Sequence, residues 1–73
     1  MADWTIYEID KDLKVEPVGS AFIVNNVVLM VSSDGYQRIK EVHELLMEGL
    51  KIRPIEPDTR KFKINDFLFV KQD

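Results

Sequence analysis

His43, the glutamates at 41, 44 and 48, and the Asp10-x-Asp12 pair are the residues of this 73-residue chain whose types come nearest to doing chemistry. A histidine acting as general acid or base needs a nucleophile or acid within reach and a third group to orient it, and no partner for His43 follows from spacing. With no second His, the adjoining Glu44 does not complete the two-histidine helical zinc motif. His43 therefore reads as a boundary residue beside the apolar stripe of a helix. Glu41, Glu44 and Glu48 share a helical face and read as a solvated surface, although such a row could also meet a hard cation or a basic partner. Asp10-x-Asp12 opens like a calcium loop but lacks its glycine and terminal glutamate, so it reads as a turn. The chain has no cysteine and no glycine-rich phosphate loop. The expectation is a protein with no catalytic residues, no metal and no cofactor.

Charge placement is more informative. Residues 1–36 carry a net −4, residues 37–73 a net +1, and the segment 51–63 a net +3. The acidic first part holds Asp3, Glu8, Asp10 and Asp12 around two large aromatics, Trp4 and Tyr7. On a strand those aromatics point to opposite faces, so at least one approaches the surface, where aromatics anchor interfaces. Asp3, Trp4, Tyr7, Glu8, Asp10 and Asp12 thus form a candidate protein-binding edge that would steer a basic segment toward itself. The basic segment offers the alternative: Lys51, Arg53, Arg60, Lys61 and Lys63, with Phe62 between two lysines, is the mixture that binds single-stranded nucleic acid. The overall charge of −3 opposes that alternative.

These residues must be positioned by a single small domain, 1–73. Apolar residues make up 45% and charged residues 32% with both signs mixed, a balance that argues against disorder. No run is long enough for a membrane span, and residues 1–12 show no secretory pattern, so a cytoplasmic monomer is expected. Alternation predicts a strand over 4–9 and another over 13–15, stopped by Pro17. Two β-branched runs around Asn25-Asn26 predict a tight hairpin, and the unbroken apolar run 27–31 predicts a central strand covered on both faces. Ser32 to Gly35 offers a cap for a helix from Tyr36 onward, with Gly49 as its terminator. Pro54 and Pro57 predict an extended connector, and Asn65-Asp66 predicts a second tight hairpin. The order β-β-β-β-α-β-β gives an α+β fold, a small mainly antiparallel sheet packed by one α-helix. The prolines set residues 60–73 apart as a semi-detachable C-terminal hairpin, which a partner could displace.

With no enzyme motif, slight acidity and the opening MADWTIYEID, the chain resembles the small phage-encoded regulators of host transcription. That resemblance implies a partner, the RNA polymerase of the bacterial host, bound near the N-terminal region of its largest subunit. It further implies inhibition of initiation by interference with the sigma factor, and antitermination.

Overall fold

Two asparagine turns set the strand pairing. Asn25 and Asn26 sit at φ 51° and 64°, and Asn65 at 53°, the positive-φ conformation that a two-residue hairpin needs and asparagine tolerates. The computed structural model describes residues 3–73; Met1 and Ala2 lie outside the described residues. In it, β1 (Asp3–Ile9), β2 (Val15–Val24) and β3 (Val27–Ser32) form a meander, α1 (Ile39–Ile52) follows, and β4 (Lys61–Ile64) and β5 (Phe67–Lys71) form the second hairpin. The five strands make one antiparallel sheet in the order β3-β2-β1-β5-β4. The α+β class is as expected, with five strands rather than six.

The missing strand has a local cause. Residues 13–24 do not break at Pro17; β2 runs through it, with Pro17 opposite Tyr7 beside a register shift that leaves Val18 extra. A bulge tolerates the lost amide donor. Gly19, opposite Ile6, is needed there: a Cβ would run into the Ser32 carbonyl oxygen and come within 3.2 Å of Ile39 Cδ1.

The run 27–31 is not a covered central strand. β3 is an edge, and Val27, Leu29 and Met30 are 56%, 60% and 59% exposed. An unbroken apolar run reports hydrophobicity but not which strands flank it, and here β2 bonds only one side.

The helix also starts later than the capping residues suggest. Ser33 Oγ accepts the Tyr36 amide at 3.2 Å, closing a turn, and α1 begins at Ile39 after Arg38, whose side chain makes no capping bond. Nor does Gly49 end it. Gly49 lies inside α1, where a Cβ would stand 2.6 Å from Ile64 Cδ1, so its role is to let β4 approach. The helix ends at Arg53, in extended conformation just before Pro54. None of its length is long and apolar enough to cross a membrane.

One side of α1, with Val42, Leu46 and Leu50, packs on the sheet face that carries Trp4, Ile6, Ala21, Ile23, Phe67 and Phe69. Phe62 stacks on Phe69 at 4.8 Å and meets Trp4 edge-on at 5.1 Å. The C-terminal hairpin therefore supplies the middle of the core. β5 lies between β1 and β4, paired with Trp4 to Glu8. Pulling residues 60–73 away as a semi-detachable hairpin would strip β1 of a neighbour and expose Phe67 and Phe69, both 0% exposed, so the packing weighs against that expectation.

Candidate docking surface

Strand residues alternate between faces, and only one face of this sheet carries the helix. The pairing register identifies the other. Pro17, Tyr7, Leu68 and Lys63 form one row across β2, β1, β5 and β4, and Ser32, Ser20, Thr5, Val70 and Lys61 form the next. Met30, Phe22 and Asp3 make a third row toward one end, Val15 and Ile9 a fourth toward the other. Among the described residues no element covers this face. Tyr7, Ile9, Phe22, Leu68 and Val70 are half-buried only by their neighbours in the sheet, and Val15 and Met30 are exposed. Its apolar side chains fall in two groups, Tyr7, Ile9, Leu68 and Val70 on one side of Ser20 and Thr5 and Phe22 and Met30 on the other, and uncovered apolar surface next to charge suits a macromolecular contact.

The β1–β2 turn projects from one end of that face. Asp10 Oδ1 accepts the amides of Asp12 (2.8 Å) and Lys14 (2.9 Å), an Asx-type turn that fixes the loop as the sequence suggests. At its tip Leu13 is held at φ 63° and is 80% exposed. A left-handed leucine costs about 1–2 kcal/mol. Sequence patterning missed Leu13, because its place in an alternating apolar series gave no sign of a positive φ.

The candidate protein-binding residues are divided by the fold. Tyr7 stands at the centre of the uncovered face, Asp3 at its margin, and Asp10 and Asp12 in the exposed turn. Trp4 is 2% exposed in the core, and its Nε1 has no hydrogen-bond acceptor among the described residues, so it cannot anchor a partner. Glu8 is on the helix side, where its Oε2 accepts from the Tyr36 hydroxyl at 2.7 Å and from Arg38 Nη1 at 2.7 Å.

Arg38 is the electrostatic hub of the helix side. Besides Glu8 it reaches Asp66 Oδ2 at 2.9 Å, grips Glu41 through Nε (3.0 Å) and Nη2 (2.7 Å), and lies 4.8 Å from the Phe67 ring centre. It ties β1, the second hairpin turn and the first turn of α1 together. Burial, followed by the bond to Glu8, pushes the Tyr36 hydroxyl up to about 12. Hydrogen bonds from Arg38 hold Glu41 and Asp66 below their ordinary values of 4.5 and 3.8. Carboxylates with a lowered folded-state pKa contribute stability above the ordinary value and lose it as pH falls through the folded value. The urea midpoint should accordingly drop as pH is lowered from about 6 to about 3, and Arg38→Gln should flatten that drop. Equal slopes for the two proteins would show that the pairs are idle.

The basic candidates are divided too. Lys61 and Lys63 border the uncovered face on β4, whereas Lys51 and Arg53 belong to the end of α1. Arg60 pairs with Asp73 at 2.8 Å. Phe62, between the two lysines, is half-buried and turned to the opposite side of the sheet from them, against Phe69 and Trp4. His43 is half-buried on α1, Glu44 and Glu48 lie exposed there, and no group of three potential metal ligands is found among the described residues. Comparison with family models, curated proteins and solved structures finds no match to this chain.

Proposed function

We propose that this chain is a non-enzymatic phage regulator that binds the RNA polymerase of a bacterial host, in the N-terminal region of its largest subunit. It inhibits host initiation by interfering with the sigma factor and promotes antitermination. The choice of polymerase rests on the resemblance in size, slight acidity and opening residues, and on no single motif. The docking mode rests on one observation, the uncovered apolar sheet face centred on Tyr7 and Leu68. At its end the exposed Leu13, with Asp10 and Asp12 beside it, suits a basic segment bearing apolar side chains. The nucleic-acid alternative is weaker: its cations lie on two layers and its aromatic packs against the core, stacked on Phe69.

Leu13 separates binding from folding. Leu13→Gly relieves the left-handed strain and should leave the chain as stable or up to about 1 kcal/mol more so. The same change removes the exposed apolar tip and should weaken retention of host polymerase in a pull-down. Asp12→Lys should weaken it further at low salt and less at high salt. Full retention by both variants would rule this turn out of the interface.

A further inference from the structure

The free edge of β4, which borders the uncovered face through Lys61 and Lys63, carries a second surface. We propose that it binds an extended acidic peptide segment, which adds as a sixth strand beside β4 and sends an apolar side chain into the groove between β4 and the end of α1.

Three observations lead there. The first is which ladder groups are free. The Lys71 amide donates to the Arg60 carbonyl, and the Asn65-Asp66 turn closes on Ile64 and Phe67. Bonded pairs alternate along an antiparallel hairpin, so Phe62 and Ile64 bond β5 while the N–H and C=O groups of Lys61 and Lys63 point outward. The second is the groove itself, about 500 Å³, with Leu50, Ile55, Phe62 and Ile64 as apolar lining and with Arg53, Lys63 and one acid, Glu56, on its polar side. A strand laid along β4 would direct alternate side chains toward this side of the sheet. The third is charge: Lys51, Arg53, Lys61 and Lys63 make no ion pair among the described residues, and Glu56 and Asp58 are the only acids of the segment 51–63.

Lysines on an edge strand ordinarily repel another edge. Here they also select. A second copy of β4 would set lysine against lysine, and a neutral strand would gain nothing from them, whereas an acidic one is drawn in. A nucleic acid is disfavoured on this surface: Phe62 already stacks on Phe69 at 4.8 Å, so one ring face is taken, and the part left open faces the groove, away from the Lys61 and Lys63 side chains.

The test uses the full chain, isotope-labelled, and the probe peptide acetyl-Asp-Leu-Glu-Leu-Asp-amide. Its serine-for-acid analogue and a single-stranded oligothymidine are the comparisons. The acidic peptide should shift the amides of Lys61 and Lys63 and slow their hydrogen exchange, with the serine analogue binding at least about tenfold more weakly. Lys63→Pro removes an outward amide without removing a bond to β5, so it should abolish binding where Lys63→Ala only reduces it. The exchange measurement on the unmutated chain stands even if the proline variant does not fold. Unchanged exchange at Lys61 and Lys63, equal binding of the serine analogue, or the same protection by the oligothymidine alone would overturn the proposal.

Discussion

Phe69→Ala should unfold this domain or bring it close to unfolding. Phe69 is 0% exposed, stacked on Phe62 and paired across β1 with Ile6 at the centre of the sheet. Truncating a buried phenylalanine costs about 3–5 kcal/mol, through lost transfer energy and the cavity left behind. A 73-residue chain has roughly 4–10 kcal/mol in all, so one side chain accounts for a large share. The melting temperature should fall by at least about 12 °C, since each kcal/mol shifts a domain of this size by about 4–8 °C. A semi-detachable hairpin makes the opposite forecast: the body would survive with a small loss. Calorimetry on the variant decides between them, and a shift of only a few degrees would restore the detachable reading.

The second large effect concerns binding without folding. Tyr7 and Leu68 face each other across β1 and β5 on the side the helix does not cover. Threonine keeps strand propensity at both positions while removing the apolar surface. Tyr7→Thr with Leu68→Thr should leave the dispersion and signal pattern of the core unchanged. It should weaken polymerase binding at least about 30-fold, the equivalent of one interface hot spot of about 2 kcal/mol. Equal affinity for the doubly substituted chain would place the contact elsewhere.

Local backbone chemistry made much of the fold legible. Asn25-Asn26 and Asn65-Asp66 announce their hairpins because few residues accept positive φ, and Asp10 announces its turn because a short carboxylate can bond nearby amides. The spacing of Val42, Leu46 and Leu50 announces the buried face of α1. What stayed hidden is non-local. That β5 inserts between β1 and β4, more than fifty residues along the chain from β1, depends on the pairing of whole strands and not on any short pattern.

The same gap explains the candidate site. Alternation put Trp4 and Tyr7 on opposite faces, which the sheet bears out, but could not say which face the helix would take. Once α1 lies over Trp4, Tyr7 is left in the open. Glu8 goes inward for a reason equally distant in sequence: Arg38 and Tyr36, about thirty residues on, hold it. Lys61-Phe62-Lys63 looked like a stacking site because its phenylalanine could not be seen to face Phe69.

The bare side of the sheet is the proposed contact surface. Cross-saturation transfer from unlabelled host core polymerase to the deuterated, amide-labelled chain reads that surface residue by residue. Signal loss concentrated at Thr5, Tyr7, Ile9, Leu13, Phe22, Leu68 and Val70, with Val42, Leu46 and Leu50 spared, is the predicted result. Loss centred on the exposed side of α1, or no transfer from polymerase at all, would contradict it.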